Sequence, residues 1–376
     1  MAFWVAGGFA RIACMNDADV KIDAGEGDIE SLASTYLECN RQLRDSLGIG
    51  RGERLVAHHL GMGEHNLNYW FENPVSRERF VLRINVTKQP FHDNQVRYEF
   101  DALKALEFSG RTPKPLYLDD SPQAPCEGAM VISFCEGEQL DFDHLLPGDL
   151  DRAARIMADI HSVAIPSNCK LYRPIDPIRK LFNECFSRYE MYARSGFADP
   201  EVSHRMDRFI RITQRCVDEI KFDPADGRIV NTETLASHLL LPSDRAHGST
   251  RSGYFVDWER PILGDVAEDV AFFVAPTTTF WDSDYLFPAG RFEEFVEAYW
   301  HAVDGRFERG DFDRRFAAFL KVAVFRALTW CCRAVVQQKS GSKVHITDKA
   351  KVKVPIYLSA EFMDRLADEI FSETSR

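Results

Sequence analysis

The sequence predicts an α+β chain in two lobes, a small antiparallel sheet followed by a larger, mainly helical part. Up to about residue 135 the apolar runs are short, and glycine-bearing or polar segments separate them, as between strands. From Phe142 onward the apolar residues recur at helical spacing, which marks helices that bury one face. At 376 residues and 45% hydrophobic the chain can bury a large core, and its size favours two lobes over one.

Residues 1–27 read as a loose extension that ends in the acidic, glycine-bearing run beginning at Asp23, and Met15 is a second possible start. Ser31 to Leu47 is an opening helix. Strands follow around 54–60 and 67–72, and Leu60-Gly-Met-Gly-Glu-His-Asn66 places Gly61 and Gly63 between them. A dinucleotide fingerprint needs a third glycine where Asn66 stands and a helix after the turn, and a P-loop sequence is absent. A glycine turn between antiparallel strands can still lay backbone N–H groups over phosphates, although a plain hairpin turn fits the same residues. The strand at 79–86 sets Arg83 among apolar neighbours, which is costly unless the charge meets a phosphate or a carboxylate. Glu99 is the available partner, on a helix from Gln95 whose Val96, Phe100, Leu103 and Leu106 mark one face. A strand at 129–134 completes the sheet and the chain crosses near Cys135, giving lobes at 28–135 and 136–376. Helices are expected at 149–164, 176–194, 200–220, 291–303 and 312–338, the last apolar enough around Phe316 to Val336 to be buried.

The most informative stretch runs from Arg228 to Asp257. Ile229 and Val230 lead into Asn231-Thr-Glu233, His238 begins a second apolar run, and Phe255-Val-Asp257-Trp-Glu259 follows. Two strand-like segments thus bring Glu233 and Asp257 to one place, where they can supply a base and a metal ligand, the groups that phosphoryl transfer asks of a protein besides holding the nucleotide. A β-hairpin with solvated carboxylates fits these residues equally well. His161 lies on an apolar helix face and is expected as a packed, hydrogen-bonded histidine that supports the base-bearing loop. Asp269 is expected to cap a helix or to hold backbone near the site.

A net charge of −12 argues against nucleic-acid binding, and no stretch is built to span a membrane. Nine cysteines, an odd number without a C-x-x-C pair, read as reduced thiols of a cytoplasmic protein.

As an ordered series from about Leu55 to about Gln338, these segments resemble the aminoglycoside phosphotransferase and choline kinase-like family, small-molecule kinases with a protein-kinase-like fold. Gly63-x-x-Asn66-x-Asn68-Tyr69 is similar to its glycine turn, Val81-Leu82-Arg83 to its phosphate-gripping strand, and Glu99 to its helix glutamate. Met130-Val-Ile-Ser133-Phe-Cys135-Glu-Gly137 resembles the hinge that presents backbone groups to adenine. Ala158-Asp-Ile-His161, Val256-Asp257-Trp258-Glu259, Gly264-Asp265, Asp269-Val-Ala271 and Leu328-Thr-Trp330-Cys331 resemble later family segments. The departure is in the catalytic loop: the family pattern His-Gly-Asp, four residues, Asn stands here as Asn231-Thr-Glu233, four residues, His238.

The resemblance implies an ATP-dependent phosphotransferase acting on a hydroxyl of a small molecule such as an amino alcohol, a sugar or an aminoglycoside. Glu233 would be the base and Asn231 its support, with Asp257, His238 and Glu259 at the metal. Magnesium is the implied ion, and manganese is favoured if an imidazole is a ligand. The alternative is a nucleotide-binding pseudokinase. The aromatic residues Phe280, Trp281, Tyr285, Phe287, Tyr299 and Trp300, set among Asp282, Asp284, Glu293, Glu294 and Glu297, suit either a cationic alcohol or, more simply, a core face beside a solvated acidic face.

Overall fold

A computed structural model describes residues 10–11, 21–22, 26–63, 65–87, 93–122, 124–247, 251, 253–341 and 347–372. Apart from a two-stranded ribbon, β1 (Ala10–Arg11) with β2 (Lys21–Ile22), and the start of the first helix, the extension at 1–27 lies outside the described residues. The chain divides into two units, Met1–Glu136 and Gly137–Arg376.

The first unit is built on a five-stranded antiparallel sheet in the order β3 (His58–Met62), β4 (Asn66–Glu72), β5 (Arg79–Asn85), β7 (Ala129–Ser133), β6 (Pro115–Asp119). Strand β5 is central and nearly all of it is buried, which is why it reads as a continuous apolar run around one arginine. The β4–β5 register pairs Asn68 with Arg83 and Glu72 with Arg79. The edge strand β6 was not expected: it is short, begins at a proline and is mostly half-buried, so neither alternation nor an apolar run announces it. The expected opening helix is two helices, α1 (Glu26–Cys39) and α2 (Arg41–Ser46). Asn40 divides them because its side chain accepts the Leu43 N–H at 3.0 Å and caps α2, competing with a continuous helix. Ala33, Leu37, Leu43, Phe71, Leu82 and Val131 belong to the unit's hydrophobic core. Helix α3 (Gln95–Leu106) packs against β6 and β7.

In the second unit, two short antiparallel sheets accompany the helices, one of three strands and one of two. Strand β8 (Glu138–Gln139) and β11 (Tyr254–Phe255) both pair with β10 (Leu239–Leu241), while β9 (Arg228–Val230) pairs with β12 (Ile262–Gly264). The expected helices are α4 (Asp149–His161), α5 (Pro177–Ala193), α6 (Pro200–Glu219), α9 (Phe292–Val303) and α10 (Phe312–Lys339). Aspartates 176 and 199 cap α5 and α6, each followed by a proline at the first helical position. Helix α10 is the hub, packing on α5, α6, α7 (Val266–Val274) and α8 (Pro276–Asp282). Helices α7, α8, α11 (Asp348–Tyr357) and α12 (Ala360–Glu369) were not expected. The reason is clearest for α7, where eight of nine residues are buried, so no polar face gives it a period. Among the described residues no helix is long and apolar enough to cross a membrane, and all eight described cysteines are unbridged.

Candidate active site

In the first unit, Gly63 closes the turn between β3 and β4, its N–H donating to the Asn66 carbonyl at 2.9 Å. A Cβ at Gly63 would lie 3.0–3.3 Å from the Asn66 side chain, so the close approach calls for glycine. Asn66 is buried, and its Oδ1 accepts from Asn68 Nδ2 at 2.8 Å. From β5, Arg83 donates Nε to Glu99 Oε2 at 2.8 Å and Nη1 to Asn68 Oδ1 at 3.4 Å. Gln95 and Asn85 donate to the other Glu99 oxygen at 3.0 and 3.2 Å. The pair is buried on both sides, and removing one partner of such a pair costs about 3–5 kcal/mol, because the other charge is left without compensation. At the end of β7, Ser133 is committed to its own unit: its N–H donates to the Lys114 carbonyl and its Oγ accepts the Lys114 N–H, both at 2.9 Å. The Cys135 thiol is pushed up to about 12 by burial, so it stays a thiol.

In the second unit the loop from Asn231 to His238 leaves one ribbon and enters another, since β9 pairs with β12 and β10 with β11. Asp269, on α7, accepts the Asn231 N–H on Oδ2 at 2.7 Å and the Thr232 N–H on Oδ1 at 2.8 Å. His161 stands behind it, with Nε2 3.3 Å from Asp269 Oδ2 and Nδ1 2.8 Å from the Tyr299 hydroxyl. Both sequence expectations about His161 therefore describe its surroundings, a packed core position and a link to the loop. For Asp269 the backbone-holding alternative applies, because the cap of α7 is Asp265, which accepts the Ala267 N–H and pairs with Arg315 at 2.7 Å. Thr232 takes φ +71°, a left-handed conformation unfavourable for a β-branched residue, and is tied down by Asp269 and by Oγ1 donating to the Arg260 carbonyl at 3.2 Å.

Asn231 donates Nδ2 to the Asp257 carbonyl at 2.8 Å and accepts the Glu233 N–H on Oδ1 at 3.1 Å, so it joins the two segments. Asp257 follows β11 at φ +65°. His238 Nδ1 lies 3.0 Å from the Glu233 carbonyl, which can only accept, so Nδ1 carries the hydrogen. Its Nε2 then faces Asp257 Oδ2 at 3.4 Å. Glu259 sits half-buried in the bend after Trp258, whose indole N–H donates to the Phe255 carbonyl at 3.0 Å. Among the described residues no group of three His, Cys, Asp or Glu side chains is arranged to hold a metal ion.

Two site residues escaped the sequence reading. Arg326, on α10, donates Nη2 to Glu233 Oε1 and Nη1 to the Thr232 carbonyl at 2.7 Å, with its guanidinium 5.0 Å from the Phe272 ring centre. Arg260 Nη1 lies 3.8 Å from the same Glu233 oxygen. A signal for Arg326 existed, a charge within the apolar run from Phe316 to Val336 of α10, where it needs a partner.

The aromatic and acidic stretch resolves as core and surface. Phe287 and Tyr299 are fully buried, and the Lys353 ammonium lies 3.6 Å from the Phe280 ring centre. Lys349 pairs with Asp282 at 2.6 Å, Lys353 with Asp284 at 3.3 Å, Arg291 with Glu294 at 2.9 Å and Arg309 with Glu297 at 2.7 Å. The chain's own cations occupy the contacts that a cationic alcohol would need.

The sequence model of the phosphotransferase enzyme family matches residues 57–320. No curated protein matches the chain. Among solved structures, an ethanolamine kinase from Plasmodium vivax aligns with TM-score 0.59 at 11% identity, over 89% of this chain and 90% of that one. A choline kinase from Cryptosporidium parvum aligns with TM-score 0.58 at 14% identity, over 92% and 97%. A spectinomycin phosphotransferase in complex with ADP and spectinomycin aligns with TM-score 0.54 at 13% identity, over 87% and 94%. At these identities the likeness is one of fold.

Proposed function

The chain belongs to the phosphotransferase enzyme family, and from that premise we propose that it is an ATP-dependent kinase of a small molecule with a free hydroxyl. The observation that carries this reading is one loop in which the Glu233 carbonyl meets His238, His238 faces Asp257, and Asn231 ties the Glu233 N–H to the Asp257 carbonyl. Arg83, held by Glu99, is the cation proposed for the phosphates, with Gly63 and Asn66 shaping the turn and the backbone around Ser133 and Cys135 proposed for adenine. Glu233 would orient the acceptor hydroxyl and take its proton as the new oxygen–phosphorus bond forms and the bond to ADP breaks. Arg326 holds one carboxylate oxygen, which fixes the rotamer of Glu233 and leaves the other oxygen for the acceptor.

A divalent ion is proposed at His238 and Asp257, two donors that, among the described residues, the chain alone does not extend to a set of three. With Nδ1 protonated, a neutral His238 turns a bare nitrogen toward a carboxylate oxygen, an arrangement that repels unless a cation or a proton lies between them. Asp257 and His238 would hold the ion, which would neutralise charge on the transferring phosphoryl group. Magnesium is the ordinary ion of such sites, and the imidazole favours manganese.

The second reading, a nucleotide-binding pseudokinase, has one observation in its favour: Arg326 and Arg260 both stand at the same Glu233 carboxylate oxygen, so the chain's own cations already engage part of the proposed base. Glu233→Gln separates the two. With ATP and a panel of hydroxylated metabolites, the wild-type protein should consume ATP, and the variant should keep its ATP affinity and lose ~10²-fold or more of turnover. ATP binding by the wild type without turnover on any acceptor would favour the pseudokinase.

A further inference from the structure

Helices α5 and α10 lie against each other, Phe182 stacking on Phe325 with ring centres 5.6 Å apart, and Arg188 on α5 stands within electrostatic reach of Arg326 and Arg333 on α10. Arg326 and Arg333 are seven residues apart on α10, two turns along one face. Arg188, on α5, senses both of them, and burial followed by their like charge loosens its hold on a proton. All three are half-buried.

The nearby carboxylates are committed or discharged. Glu233 takes Arg326, and Glu184 takes Lys180. Glu268 is pushed up to about 8 by burial, with the charge of Asp269 adding to it, so it is largely protonated at neutral pH. Among the described residues neither Arg188 nor Arg333 has a hydrogen-bond or ion-pair partner. Like charges half-buried side by side are unfavourable until an anion joins them, and planar guanidinium forks suit a carboxylate or a phosphate. Arg326 links the cluster to the loop through its bonds to Thr232 and Glu233.

We infer that the acceptor is an alcohol carrying an oxyanion, a carboxylate or a phosphate, which Arg188 and Arg333 hold beside Arg326 while its hydroxyl lies at Glu233. This rests on the phosphotransferase reading and names its substrate class. It also agrees with the self-paired state of the acidic residues that a cationic acceptor would have used.

Glucose, gluconate, glucose 6-phosphate and glucosamine share a scaffold and differ in charge, so they form a matched test set. With the wild-type protein, ATP and a divalent metal, kcat/KM for at least one of the two anions should exceed that for glucose and glucosamine by about tenfold or more. The preferred anion distinguishes a carboxylate from a phosphate. The R188Q/R333Q variant should raise KM for that anion on the order of 10- to 100-fold while the KM for ATP stays within about twofold, and R188K/R333K, which keeps the charge without the fork, should fall between. Preference for glucose or glucosamine over both anions overturns the inference and leaves the phosphotransferase reading standing. If ATP binds and none of the four sugars is phosphorylated, calorimetric titration of gluconate and glucose 6-phosphate decides. Binding that weakens in R188Q/R333Q upholds the anion site although transfer to these acceptors has failed, whereas no binding of either anion by the wild type overturns it.

Discussion

Glu268 has a buried Oε2 without a hydrogen-bond partner, one turn from the aspartate cap of α7 and next to Asp269. Burial first, and the Asp269 charge second, raise its carboxyl from 4.5 to about 8. The folded protein therefore keeps a proton that the unfolded chain releases above its ordinary carboxylate value. The contribution to stability is complete below about pH 4.5 and is lost as the pH rises toward 8, at up to about 1.4 kcal/mol per pH unit. Glu268→Gln, neutral at every pH, should flatten the fall in stability across that window, as measured by urea denaturation at a series of pH values. An unchanged slope would mean that Glu268 is ionised in the folded protein. Thr232 shows what residue identity hides, because a β-branched residue does not announce a left-handed backbone and this one adopts it.

At the scale of elements, the loop from Asn231 to His238 takes its shape from α7 and α10 more than from its own sequence. Asp269 accepts two consecutive loop N–H groups, and His161, itself bonded to the Tyr299 hydroxyl, contacts Asp269 in turn. Asp269→Asn replaces one acceptor oxygen by an NH₂ group, which sets a donor against a donor at one of the two loop amides. The variant should lose about 1–3 kcal/mol of stability in urea denaturation, and its turnover should fall by a larger factor than its ATP affinity. Equal losses in both would show that the network serves the fold and not the loop. The network was half legible: His161 stands on a readable apolar helix face, while its partner Tyr299 lies 138 residues away and no local pattern joins them. The same holds for Arg326 and Glu233, 93 residues apart.

At the scale of the whole molecule, the net charge of −12 sets the response to polyanions. The arginines of α5 and α10 form a local site for a small anion in a chain whose overall field repels long ones, so fluorescence anisotropy at physiological salt should detect no binding of duplex DNA at micromolar protein. A micromolar dissociation constant would refute this and point to an extended basic surface. The sequence by itself determined the α+β class, the central strand around Arg83, its Glu99 partner and the amphipathic helices, because these follow from periodicity or from the cost of a charge among apolar neighbours. It also marked Glu233, His238 and Asp257, whose spacing along the chain is short. It did not reveal β6, whose residues are short and mixed, or α7, which has no exposed face to give it a period. Only the tertiary structure decided that Arg326 grips Glu233, that Lys349, Lys353, Arg291 and Arg309 pair with the acidic stretch, and that Arg188 lies within electrostatic reach of Arg326 and Arg333 while, among the described residues, neither Arg188 nor Arg333 has an ion-pair partner. Those facts are matters of charge pairing between distant segments, and the pairing is set by which helices pack together.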